Sequence, residues 1–191
     1  MKTRLLRFSS LILITVTIGF LLHSVFFVNY MVDGKSMEPS LDDGNMLMVN
    51  RLAYNLQDAK RFDVVVFHAN EDEDYVKRII GLPGDEIEYR NERLYINNEP
   101  VEEPFLKNKI KDITETYTED FKLEEKTGKQ EVPPNAVFVM GDNRPDSFDS
   151  RAIGFIDKKQ IVGKVNRQWT DSEKTYNIWQ TAIFPLLSLL K

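Results

Sequence analysis

Residues able to start covalent chemistry gather at three places in this chain. Ser36 lies in Asp33-Gly34-Lys35-Ser36-Met37-Glu38-Pro39-Ser40, directly after a long apolar run ends. A serine between glycine and proline is by itself an ordinary turn residue, and to act as a nucleophile it needs a base. Lys77 is one candidate. In Tyr75-Val76-Lys77-Arg78-Ile79-Ile80, strand alternation puts Tyr75, Lys77 and Ile79 on one face. A lysine among apolar neighbours is costly as a cation, so burial lowers its pKa from about 10.4 toward about 8, a change worth roughly 3 kcal/mol. Such an amine can take a proton from a serine hydroxyl. The competing reading is a strand lysine whose head snorkels into water. His68 is the rival base, since its ordinary pKa is already near neutral. It ends the run Asp63-Val64-Val65-Val66-Phe67-His68, where a solvent-facing rim position is the plainer reading. The third place is Gly141-Asp142-Asn143-Arg144-Pro145-Asp146-Ser147-Phe148-Asp149-Ser150-Arg151. There Asp149 and Arg151 can pair to brace the loop, while a serine hydroxyl accepts a hydrogen bond from the lysine ammonium and aims it. These residue types leave open both a Ser36 and Lys77 pair and a Ser36, His68 and aspartate triad.

The elements that must position these groups are short and strand-like. Met46 to Arg51, Asp63 to His68, Tyr75 to Ile80, Ala136 to Met140 and Gln160 to Val165 read as strands rich in β-branched residues. Glu86 to Tyr89 and Arg93 to Ile96, separated by Arg90-Asn91-Glu92, read as a hairpin, and Gly81-Leu82-Pro83-Gly84-Asp85 as a strong turn. No sustained helical period runs between Gly34 and Gln168, so the expected class is mainly β. Residues 99 to 131 are crowded with Glu, Lys, Asp and Thr and predict an exposed, partly mobile excursion.

Ahead of this domain, Phe8 to Val32 contains no Asp, Glu, Lys or Arg and is long enough to cross a bilayer as a helix. Bulky residues from His23 to Tyr30 do not suit a cleavage site, so the span reads as an uncleaved anchor. Lys2, Arg4 and Arg7 then place residues 1 to 7 in the cytoplasm and residues 33 to 191 outside. The apolar stretch Ile178 to Leu190 is short and holds Pro185, which favours contact with the membrane surface or the core over a second span. A net charge of −5 argues against nucleic acid as a partner. The absence of cysteine removes thiol chemistry, and two histidines make a metal site improbable, so no cofactor is expected.

Ser36-Met37 with Pro39, the run Tyr75 to Asp85, and Gly141-Asp142-Asn143-Arg144 through Ser147, Asp149-Ser150-Arg151 and Gly154 together resemble the type I signal peptidases in their short Gram-positive form. The resemblance runs from the anchor to about Val165. It implies a mostly β catalytic domain resting on the membrane, Ser36 as nucleophile and Lys77 as general base of a serine-lysine dyad. It further implies that Ser147 orients the Lys77 amine, that Asp149 and Arg151 form the bracing pair, and that Asp142 and Arg144 belong to the supporting loop. Implied substrates are secretory preproteins with small residues at the first and third positions before the cut, often Ala-x-Ala. In the Gram-negative branch a serine two positions before the nucleophile helps hold the oxyanion; here Gly34 stands there. The Ser36 backbone N–H remains as one donor, and the second falls to the backbone near Gly34 or to water. The alternative, from another class, is a non-catalytic membrane-tethered β-domain that binds partners.

Overall fold

Lys77 sits on a large sheet, and Ser36 on the turn between two of its other strands. The computed structural model describes residues 10, 12–19, 26–51, 59–106 and 116–169. Strands β1 (Phe27–Met31), β2 (Met46–Asn50), β3 (Val64–His68), β4 (Asp74–Gly81), β9 (Ala136–Met140), β10 (Ile156–Asp157) and β11 (Ile161–Trp169) form a seven-stranded sheet. Its order is β1-β2-β11-β3-β4-β9-β10, so the last of the described strands is inserted between the second and the third. Strands β5 (Ile87–Arg90), β6 (Arg93–Ile96), β7 (Glu99–Val101) and β8 (Phe121–Lys122) form a smaller sheet ordered β7-β6-β5-β8.

The burial pattern explains why these residues adopt strands. In β9 all five residues, Ala-Val-Phe-Val-Met, are buried, as expected of a strand covered on both faces. Phe138 and Met140 join Ile80, Ile87, Tyr89, Leu94 and Phe121 in the core between the two sheets. Val137 and Val139 join Val65, Phe67 and Ile79 in a second cluster on the opposite face. A third cluster places Met37 and Leu41, from the turn that carries Ser36, against Leu47, Val49 and Val66. That turn is anchored by its own apolar residues. The β5-β6 hairpin closes through Asn91 and Glu92, whose φ angles of 49° and 61° give the paired left-handed backbone of a two-residue turn. Asn97 and Asn98, at 52° and 67°, do the same between β6 and β7.

The mainly β expectation holds, and every expected strand is present within a few residues of its expected bounds. Two expectations differ. Residues 99 to 131 are not simply an exposed excursion: Glu99–Val101 is a strand, and Leu106, Tyr117, Thr118, Phe121 and Leu123 are buried. Single apolar anchors spaced through charged sequence hold this stretch to the second sheet, while residues 107–115 lie outside the described ones. The outer end of the expected span also differs, because Phe27–Met31 is a strand paired antiparallel with β2. Apolar residues serve a strand as well as a helix, and the register from Phe27↔Asn50 to Met31↔Met46 claims these for the sheet. Ser10, residues 12–19 and Phe26 are helical. Among the described residues no helix is long and apolar enough to cross a membrane. Residues 1–9, 11, 20–25 and the tail from 170 to 191 lie outside the described residues.

Candidate active site

Lys77 reaches Ser36 from the first half of β4. Its ammonium Nζ donates to Ser36 Oγ at 2.6 Å, and the residue is only 4% exposed. Strand alternation holds as expected, with Nζ 5.3 Å from the centre of the Tyr75 ring on the same face. Burial lowers the Lys77 pKa to about 8; the carboxylates of Asp149 and Asp142 pull it up and the Arg151 guanidinium pushes it down, all by less than burial does. A substantial fraction of free amine is therefore present just above neutral pH. The hydrogen bond then reverses, with the serine hydroxyl donating to the amine.

The loop after β9 grips the Ser36 turn through its backbone. Asn143 N–H donates to the Ser36 carbonyl at 3.0 Å, and Asn143 Nδ2 donates to the Lys35 carbonyl at 3.1 Å. Gly141 makes this approach feasible, since a methyl group there would collide with the Ser36 carbonyl oxygen and Ser147 Oγ. Sequence reasoning passed over Asn143, whose signal was its place inside the loop.

The expected bracing pair is present and two-pronged: Arg151 Nε lies 2.9 Å from Asp149 Oδ1 and Nη2 lies 2.8 Å from Oδ2. Asp149, fully buried, also accepts from the Gly141 amide at 3.0 Å. Burial pushes its carboxyl up, but the Arg151 guanidinium and the Gly141 amide outweigh this and hold it below the ordinary carboxylate range. Arg151 Nη2 continues to the Arg144 carbonyl at 2.7 Å. Asp142, also fully buried, takes two bonds from Arg78, at 2.8 and 2.6 Å. Arg78 alternates with Lys77 along β4 and was missed as a site residue; a second cation in an apolar strand was the available signal.

Arg144 is buried under the loop. It donates to the Gly141 carbonyl, to Tyr89 Oη at 2.8 Å and to Glu103, and lies over the Tyr89 ring. Burial alone would lower its pKa, but Tyr89 and Glu103 more than reverse this. Tyr117 Oη donates to the Asp142 carbonyl at 2.7 Å. Glu103 and Tyr117, both from the stretch expected to be an exposed excursion, thus secure the loop after β9.

Two expected contacts are not made. Ser147 Oγ is buried beside Gly141 and near enough to Asp149 to help hold that carboxyl down, and among the described residues it makes no hydrogen bond to the Lys77 amine. Gly34 N–H donates to Asp43 Oδ1 at 2.9 Å, which spends the backbone donor expected to help the oxyanion. Its φ of +95° favours glycine and fixes the turn before Ser36. His68 sits at the exposed end of β3 with Nδ1 2.5 Å from Asp74 Oδ1, and its side chain makes no hydrogen bond to Ser36. Among the described residues no group of His, Asp and Glu is placed to hold a metal ion.

A strand-rich domain presenting a serine to a buried lysine defines a serine-hydrolase type of site. Residues 5–170 match the model of a family described as signal peptidase, peptidase S26. The chain is 56% identical to signal peptidase I of Bacillus caldolyticus over 145 residues, which make up 75% of this chain and 80% of that relative. It is 40% identical to signal peptidase IB of Staphylococcus aureus over 183 residues, 93% of this chain and 96% of the relative. The crystal structure of signal peptidase I from Enterococcus faecalis V583 matches with a TM-score of 0.54 and 40% identity, covering 56% of this chain and 97% of that one. The chain belongs to the signal peptidase family, peptidase S26, and is an enzyme, a hydrolase of the signal peptidase I kind.

Proposed function

We propose that this chain is a serine endopeptidase that removes signal peptides from secretory preproteins after Ala-x-Ala type sites, with Ser36 as nucleophile and Lys77 as general base. The 2.6 Å contact between Ser36 Oγ and the buried Lys77 Nζ carries this reading. Neutral Lys77 takes the hydroxyl proton as Ser36 Oγ attacks the peptide carbonyl, and the resulting ammonium donates that proton to the leaving amine. The Ser36 backbone N–H supports the developing oxyanion. Water then attacks the acyl-enzyme, again through Lys77.

The cleft beside Ser36 is lined by Tyr30, Val32, Gly34, Met37, Val76 and Lys77 among others. Among the described residues two of its walls offer unpaired strand edge: β1 pairs only with β2, and β4 pairs with β9 only from Arg78 onward. An extended peptide can add to such an edge, its side chains entering shallow apolar pockets that favour small residues. Met31, 68% exposed, and Phe148, 60% exposed, stand on the same cleft. Together with the apolar run ahead of β1, they support a membrane-anchored enzyme working at the outer surface of the bilayer, where it meets translocated preproteins in a plane.

The test uses the full chain in detergent with a preprotein bearing an Ala-x-Ala site. Ser36→Ala and Lys77→Ala each reduce processing to background, and the wild-type rate rises with pH through about 8 as Lys77 loses its proton. Processing that survives Lys77→Ala and vanishes in His68→Ala would hand the base role to histidine. Full activity in Ser36→Ala would refute the peptidase mechanism.

A further inference from the structure

Tyr30 and Asp74 meet across the Ser36 cleft although their strands are far apart in the sheet, with β2, β11 and β3 between β1 and β4. Tyr30 Oη donates to Asp74 Oδ2 at 2.8 Å, and the other oxygen of the same carboxylate, Oδ1, lies 2.5 Å from His68 Nδ1. Tyr30 and Asp74 both line the cleft, at the unpaired edges of their strands. His68 lies directly opposite Asp74 in the β3-β4 register, so one carboxylate oxygen is held from the neighbouring strand while Tyr30 takes the other. We propose that Tyr30, Asp74 and His68 form a clasp that fixes the spacing between β1 and β4, and thereby the size of side chain the cleft admits. Tyr30, Asp74 and His68 act as positioning residues and not as acid or base. This rests on the peptidase reading above.

The chemistry suits a permanent clasp. Burial, reinforced by the bond to Asp74, raises the Tyr30 pKa to about 12, while Arg51 beside it pulls weakly the other way. The phenol therefore remains a donor across the working range. The Tyr30 ring packs against the cluster containing Val32, Met37 and Leu47, so Tyr30→Phe keeps that packing and removes only the bond. Asp74→Asn is a conservative counterpart: its amide oxygen still accepts from Tyr30 and its NH2 can donate to a neutral His68. Asp74→Ala restores neither bond.

The experiment measures kcat and KM on paired peptide substrates with Ala or Leu at the third position before the cut, and thermal melting confirms that each variant is folded. Wild type that cleaves the Ala peptide and discriminates against Leu establishes the baseline; failure to cleave it would sink the peptidase reading itself. Tyr30→Phe and Asp74→Ala are expected to lower the Ala-over-Leu ratio of kcat/KM by about fivefold, mostly through KM, as fits the loss of one hydrogen bond to a charged group at a partly exposed site. Asp74→Asn recovers most of the ratio. An unchanged ratio in a folded, active Tyr30→Phe variant would overturn the clasp, as would a loss confined to kcat or an Asp74→Asn variant no better than Asp74→Ala.

Discussion

With 4% of its surface exposed, Lys77 is a cation in the folded state only against the pull of burial, which brings its pKa from 10.5 to about 8. Folding therefore favours the free amine. Below about pH 8 both folded and unfolded chains carry the proton and the folded state bears the whole penalty, about 3 kcal/mol at most. Stability from this group rises as pH climbs from about 8 to 10.5, where the unfolded chain alone holds the proton. Lys77→Met removes the charge and keeps much of the volume. It is expected to abolish cleavage while raising stability by about 1–3 kcal/mol at pH 7, with the gain fading above pH 10.5; urea denaturation across pH checks this. At this scale the sequence singled out Lys77, because it stands between Tyr75 and Ile79 on one strand face, but left open a lysine whose head snorkels into water; its 4% exposure decides for burial. It was uninformative for Ser147 and Gly34, whose hydrogen bonds depend on how neighbouring turns approach in space.

Among the elements, the loop after β9 is tied from beneath by Arg144, which joins it to the small sheet through Tyr89 on β5 and Glu103 beyond β7. Arg144 and Glu103 are both nearly inaccessible to solvent. Glu103→Ala leaves a buried guanidinium short of its countercharge, so a stability loss of about 3 kcal/mol is expected, with a fall in kcat as the Asp142 to Arg151 loop loosens. Glu103→Gln, which keeps an acceptor, falls between. Chemical denaturation paired with steady-state kinetics separates the two effects. The role of Glu103 was hidden in sequence by its surroundings. Between residues 99 and 131 the burying residues are single aromatics and leucines among many charges, so no period of two or 3.6 emerges. Strands β3, β4 and β9 were legible because consecutive β-branched residues leave few alternatives. β1 was masked because five strand residues continued an apolar run already long enough to read as helix.

Over the whole molecule, the site is assembled from distant pieces of chain. The Ser36 turn lies between β1 and β2, packed on the third apolar cluster through Met37 and Leu41, Lys77 stands on β4, whose apolar residues enter all three clusters, and the Asp142 to Arg151 loop follows β9. The order of the large sheet adds something that no single contact shows. Among the described residues the backbone ladder from β1 and β2 to β3 and β4 runs only through β11, so the strands flanking Ser36 have no sheet partner linking them to Lys77 until residues 161–169 are in place, and side-chain contacts alone join the two halves. During synthesis the serine emerges early and its lysine soon after, yet the two are brought into register by nearly the last strand described. A chain ended after Gln160 is expected to show no cleavage and no acylation of Ser36 by a serine-directed probe, and supplying residues 161–169 as a separate peptide would restore a part of both. On this order the peptidase is expected to be inert as a nascent chain until β11 has emerged and paired.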